Sequence, residues 1–281
     1  MEEIALSGEV QGVLLRPDAP SGLGVLVLAG SSGRVDVARA KLFADRGAVT
    51  LAQRWFGGPG QSPGICMIPL EIFGRAIDRL VAEGCERILM LGTSKGAEAT
   101  LLTAVNDPRV GIAVALSPTS HVWAASGIGL EGVSWFARSS WTRNGQELPF
   151  MAMDPRWRPA EPEQPRFRSF FEQSLKTFAE DLPAAEILVE RSQAEFVFVA
   201  GGDDAIWPSV AFAETLGERL TRASRRSRVL THPEAGHRVI FPGEPVLPEP
   251  AERAWGGSVD ADRELGAMAW TAIADLAGFA S

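Results

Sequence analysis

The chain has 281 residues, 46% of them hydrophobic and 22% charged, which excludes a disordered or fibrous protein and leaves length for a large core. Its 35 acidic against 27 basic side chains give a net charge of -8, which repels a phosphate backbone and argues against nucleic acid as a partner. The start, Met1-Glu2-Glu3-Ile4, lacks the basic and apolar stretches of a signal peptide, and the longest apolar run, Leu23 to Ala29, is too short to span a bilayer, so a cytoplasmic protein outside the membrane is expected.

The first strong strand, Gly24 to Ala29, runs into Gly30-Ser31-Ser32-Gly33 and then into helical spacing from Val35 to Gly47. Only about 20 residues precede this sheet. Val49 to Ala52 is a second short strand before a Gly/Pro-rich loop. From Pro69, a residue tolerated at a helix start, Leu70, Phe73, Ile77, Leu80 and Val81 share one helical face that ends at Gly84. Cys66 and Cys85 are too few for a disulfide framework and lack metal-ligand spacing, so they are read as buried or incidental thiols. Arg87 to Leu91 is a strand, Gly92-Thr93-Ser94-Lys95-Gly96 a turn, Ala97 to Val105 a helix, and Val110 to Leu116 a fully apolar strand.

This alternation predicts an α/β fold, a mostly parallel sheet with helices on both faces. Residues 121–185 break the rhythm and carry Trp123, Trp135, Trp141 and Trp157, and they are read as a lid-like insertion. Alternation resumes with the strand Glu195 to Ala200, the turn Gly201-Gly202-Asp203-Asp204, the helix Ser209 to Leu220, the strand Arg228 to Thr231 and a closing helix from Asp260 to Phe279.

Gly92-Thr93-Ser94-Lys95-Gly96 is a G-x-S-x-G between a strand and a helix, the pattern of a nucleophile elbow, where small residues two before and two after the serine permit a sharp turn. A serine hydroxyl needs a histidine base, and the histidine needs an acid to fix its tautomer. Asp204 and His237 supply them in the chain order Ser, acid, His, each after a late strand. Asp204 is chosen over Asp203, which is read as a turn residue capping backbone N–H groups. His237 is chosen over His121, read as surface or lid packing, and His232, read as a turn residue. The oxyanion hole is assigned to the backbone N–H of Lys95 and that of Ser31 or Ser32.

Lys95 and Glu98 are expected to be solvated or locally paired. Trp123, Trp135 and Trp207 are candidates for the substrate pocket, with core or lid packing an equal reading for the tryptophans of the insertion. The Arg222, Arg225, Arg226 and Arg228 run is read as a solvated face rather than a coenzyme A site.

The segments Gly92 to Glu98, Ile68 to Asp78, Gly201 to Ser209 and Ala235-Gly236-His237 together resemble the C-terminal catalytic domain of acyl-CoA thioesterases and bile acid-CoA:amino acid N-acyltransferases. The resemblance covers roughly residues 24–280. It implies an α/β-hydrolase fold with a Ser/Cys-Asp-His triad acting on acyl thioesters, carried over to Ser94, Asp204 and His237. Longer members bear an N-terminal β-sandwich; with about 20 residues ahead of the sheet none is expected here, and the size approaches that of dienelactone hydrolase-like enzymes. The acyltransferase branch is associated with cysteine, so Ser94 tilts the second half-reaction toward water.

The expectation is therefore a single α/β-hydrolase domain over residues 1–281 that cleaves a small-molecule acyl ester or thioester, with no metal or cofactor required. An acyltransferase and a non-catalytic binding protein are the alternatives, and nothing in the sequence opposes a homo-oligomer.

Overall fold

A computed structural model of the protein describes residues 1–132, 137–248 and 252–279. The sheet begins earlier than expected. β1 (Glu2–Ser7) and β2 (Gln11–Arg16) pair antiparallel, and β2 lies against β4 (Val49–Arg54), so the first 20 residues belong to the sheet rather than preceding it. β1 is an edge strand, half-buried only at Ile4 and Leu6, and such an edge leaves little apolar pattern in the sequence.

β3 (Leu23–Leu28) is buried along its whole length. Its alternate residues serve two cores: Leu26 and Leu28 on one face, Val25 and Val27 on the other, as the two-residue period of a strand requires. α1 (Val37–Ala44) covers the second face through Ala40 and Phe43. α2 (Glu71–Ala82) covers the first through Phe73, Ala76, Ile77 and Leu80.

The helix start expected at Pro69 is displaced. Ile68–Pro69 form a short strand, β5, because the Ile68 and Leu70 N–H groups donate to Ser140 and Thr142 of the insertion, and Pro69 lies between them with no N–H to lose.

β6 (Arg87–Thr93), α3 (Lys95–Asn106) and β7 (Val110–Leu116) follow. The insertion then builds β8 (Trp141–Arg143) and β9 (Gln146–Glu147), which join β5 in a three-stranded sheet, and the helices α4 (Arg168–Thr177) and α5 (Leu182–Ala185). β10 (Glu195–Gly201), α6 (Ser209–Arg222), β11 (Ser227–His232) and α7 (Val259–Ala277) complete the chain. Ser258 caps α7 by accepting from Ala261 N–H, and Gly278 ends it in the left-handed region, φ 76°.

The main sheet has eight strands in the order β1-β2-β4-β3-β6-β7-β10-β11. From β4 to β11 every neighbouring pair is parallel. The carboxyl ends of β6, β10 and β11 therefore open on one side, where sheets of this kind gather their sites. The arginine run lies away from it: Arg222 pairs with Glu218 and Arg228 with Asp275.

Candidate active site

β6 delivers Ser94 into a strained turn, φ 56° and ψ -120°, a conformation that persists only when the surroundings impose it. A Cβ on Gly92 would collide with the Gly96 carbonyl, and one on Gly96 would lie 2.5 Å from the Ala29 carbonyl oxygen, so close backbone approach requires both glycines. The Ser94 N–H donates to the Leu116 carbonyl at 2.9 Å, and the Ser94 carbonyl accepts from Ala97 N–H at 2.8 Å. Ser94 thus sits at the positive end of α3.

Asp204 is fully buried just beyond β10. Its Oδ1 accepts from the N–H groups of Ile206 and Trp207 at 2.8 and 3.2 Å. The two carboxylate oxygens lie 3.0 and 2.9 Å from Nδ1 of His237, so the carboxylate takes an Nδ1–H and leaves Nε2 as the basic nitrogen. The His237 N–H donates to the Trp255 carbonyl, 2.9 Å. The Trp207 ring meets the imidazole edge to face at 5.9 Å.

Two links bind the histidine loop to the Ser94 turn. Leu116, which accepts from Ser94, is followed by Ser117, whose Oγ donates to the His237 carbonyl at 2.8 Å. Buried Arg39 donates to Thr93 Oγ1 at 2.8 Å and to the Val239 carbonyl at 2.7 Å, while its guanidinium pairs with Glu244.

The other candidates stand elsewhere. Asp203 accepts from Gly257 N–H at 2.8 Å and pairs with Arg166, and these contacts hold its carboxyl below the usual range. His121 is buried beside Phe212, with Nδ1 3.0 Å from Ser120 Oγ. His232 reaches Glu264 at 3.1 Å on the surface.

A cavity of about 190 Å³ borders Ser94 and is lined by Ser31, Trp123, Met153, Phe171, Trp207 and Arg253 among others. Gly30 lies against Ser94, since a Cβ there would be 3.2 Å from Ser94 Cβ. That brings the Ser31 end of the turn to the cavity, whereas Ser32, equally exposed, lies one residue outside its lining. Of the pocket tryptophans, Trp123 and Trp207 line the cavity and Trp135 lies outside the described residues. Trp141 belongs to the core, stacked on Trp55 at 5.4 Å. A larger cavity of about 550 Å³, lined by Gln53, Trp55, Arg75 and Arg138 among others, does not include Ser94.

Lys95 and Glu98 are not solvated. Their side chains are 8% and 0% exposed and pair at 2.6 Å, and Glu98 Oε1 also accepts from Trp123 N–H at 2.9 Å and Trp141 Nε1–H at 2.7 Å. Burial lowers the Lys95 ammonium pKa, with Glu98 opposing the shift. The carboxylate therefore ties α3 to the insertion at the cavity wall. Asp262, a second residue that sequence reasoning missed, accepts from Gly236 N–H at 2.7 Å and so steadies the residue before His237.

Two buried groups near the site give stability opposite pH dependences. Burial pushes His121 down to about 4 from 6.5, so between those values the unfolded chain takes up a proton that the folded chain refuses, and stability is lost as pH falls. Burial pushes Asp262 up to about 6 from 3.8, so the folded chain keeps a proton there and stability falls as pH rises through that window. His121→Gln is expected to flatten the acid-side loss of stability and Asp262→Asn to steepen it. Urea denaturation midpoints measured from about pH 4 to about pH 6.5 check both signs.

The profile of the family described as BAAT / Acyl-CoA thioester hydrolase C terminal matches residues 68–276. Human acyl-coenzyme A thioesterase 6 is 26% identical over 241 residues, 82% of this chain and 52% of the relative. Human acyl-coenzyme A thioesterase 1 is 23% identical over 293 residues, 94% of this chain and 62% of the relative. The chain thus spans about half to three-fifths of the length of these curated relatives. A crystal structure of a putative dienelactone hydrolase from Klebsiella pneumoniae superposes with a TM-score of 0.56 at 15% identity, covering 99% of this chain and 97% of that one. At that identity the likeness is one of fold, an α/β-hydrolase sheet with its flanking helices.

Proposed function

The chain belongs to the BAAT / acyl-CoA thioester hydrolase C-terminal family, and from that premise we propose that it is a serine hydrolase of acyl esters or thioesters, with residues 1–281 acting as one catalytic domain. Ser94 attacks the acyl carbonyl as His237 Nε2 takes its proton, and Asp204 orients the ring and stabilises the imidazolium. The N–H groups of Lys95 and Ser31 receive the oxyanion, at the positive end of α3. His237 returns the proton to the leaving thiol or alcohol, then draws one from water, which releases the acid and regenerates Ser94.

The observation that carries this reading is the pairing of both Asp204 carboxylate oxygens with His237 Nδ1 at 2.9 and 3.0 Å, in a loop linked through Leu116 and Ser117 to a serine in a strained strand-to-helix turn. A binding protein has no use for that combination. The test is a fluorophosphonate probe followed by peptide mass spectrometry, run beside a panel of acyl-CoAs and aryl esters of graded chain length. Label on Ser94 together with hydrolysis is expected; an unlabelled Ser94 and no turnover across the panel would sink the proposal.

A further inference from the structure

Near the carboxyl end of β4, Gln53 places a polar side chain in the interior. It is 2% exposed. Its Nε2–H donates to the Ile72 carbonyl at 3.2 Å, and among the described residues its Oε1 accepts no hydrogen bond. The Nε2 bond fixes which way the amide faces, so the atom left bare is an acceptor. A buried acceptor without a donor is uncommon in folded proteins and costly to leave unmet.

Gln53 lines the larger cavity, of about 550 Å³, together with Trp55, Met67, Ile68, Pro69 and Ile72. The wall thus offers apolar contact and one unmet acceptor, at the end of the sheet where folds of this kind place ligands. Its supports are firm. Ile68–Pro69 is held in β5 by pairing with β8, and Ile72 lies in the first turn of α2. Trp55 donates from Nε1 to the Ala29 carbonyl at 3.1 Å and stacks on Trp141 at 5.4 Å. A wall built on such elements is shaped before a ligand arrives.

The charged side chains in this lining are Glu9, Arg75, Glu131 and Arg138, and they cancel. Arg75 stands 3.1 Å from Glu9, and Arg138 stands 3.5 Å from Glu131 and 3.4 Å from Glu147. Neither arginine makes a hydrogen bond through Nε, so these pairs act through charge. An ion entering the cavity would meet both signs and lose its hydration without net gain, which favours a neutral ligand. At about 550 Å³ the space falls within the roughly 300–1,000 Å³ of pockets that take drug-sized molecules. A rigid body fills it with the least loss of internal freedom.

We propose that this cavity is a second ligand site, separate from that of Ser94, for a neutral apolar molecule of two or three rings that carries one N–H or O–H donor for Gln53 Oε1. A molecule held there is bound rather than cleaved, because Ser94 lines the other cavity.

The test titrates 2-phenylindole and 1-methyl-2-phenylindole into the Ser94→Ala chain and follows ligand fluorescence. The two share their rings and differ in the N–H. The parent compound is expected to bind roughly 10-fold more tightly, the scale of one hydrogen bond to an acceptor otherwise unmet. In Gln53→Leu on the same background the two should bind alike. No binding of either compound overturns the proposal. So does equal binding while Gln53 is present, which would leave its acceptor to water, or a preference that survives Gln53→Leu.

Two cavity-filling variants locate the site and serve if Gln53→Leu does not fold. Ile72→Trp, which occupies the larger cavity from α2, should abolish binding of 2-phenylindole. Met153→Trp, which narrows the cavity beside Ser94, should leave it unchanged. Binding that persists in Ile72→Trp, or that is lost in Met153→Trp, overturns the assignment to this cavity. Every measurement is of binding, so its failure is distinct from a failure of hydrolysis at Ser94.

Discussion

Ser94→Ala is expected to lower hydrolysis roughly 10⁴- to 10⁶-fold while leaving the fold intact, the scale at which serine hydrolases lose activity when their nucleophile is removed. The residual rate should come from the Lys95 and Ser31 N–H groups and from the cavity, which still hold the substrate for attack by water. The elbow should survive because its shape is set by backbone: Ser94 N–H to Leu116, Ser94 carbonyl to Ala97, and the close approach of Gly92 and Gly96 to neighbouring carbonyls. The positive φ of 56° adds a second, opposite signal. Ser94→Gly, which removes the Cβ that makes this region costly, should be as inactive as Ser94→Ala and more stable than it, by about 1 kcal/mol. Thermal melts beside kcat/KM for an aryl ester check both statements. A Ser94→Ala chain with more than a few per cent of wild-type activity would remove Ser94 from the mechanism.

The parts of this site that were legible in the sequence are those set by local backbone sterics. An elbow needs glycine at fixed offsets from its serine, so Gly92 and Gly96 announce it; a buried parallel strand is an unbroken apolar run, so β3, β7 and β10 announce themselves. What was not legible depends on contacts between distant segments. Glu98 and Lys95 look like a solvated helical pair, and only the arrival of Trp123 and Trp141, 25 and 43 residues away from Glu98, removes water from them. Asp262 lies 26 residues beyond Gly236 in a helix whose spacing says nothing of the loop it touches. β1 escaped notice for a different reason: with charged residues along an exposed edge, it has little apolar alternation to read. Pro69 misled because its lack of an N–H suits both a helix start and a strand position that donates nothing.

Glu98→Ala is expected to be the most damaging single change to stability, costing about 3–5 kcal/mol, the usual loss when one partner of a buried ion pair is removed. Three donors lose their acceptor together: Lys95 Nζ, Trp123 N–H and Trp141 Nε1–H. Glu98→Gln keeps an amide oxygen for the tryptophan donors and abolishes the charge, so it should cost less than alanine, and the difference reads the hydrogen bonds apart from the ion pair. Adding Lys95→Met to Glu98→Gln should recover part of the loss, because the charge stranded in the interior is then gone; a double-mutant cycle on urea denaturation gives the coupling. The sign with pH is fixed too. Burial already lowers the Lys95 pKa, with Glu98 opposing, so without Glu98 the folded chain holds that proton less readily than the unfolded chain. The penalty of Glu98→Ala should therefore shrink as pH rises toward the ordinary lysine range. Because Trp123 forms part of the wall beside Ser94, the tether also reaches the chemistry: Glu98→Ala should raise KM for short acyl substrates at temperatures where the variant remains folded, whereas a purely structural pair would leave KM unchanged.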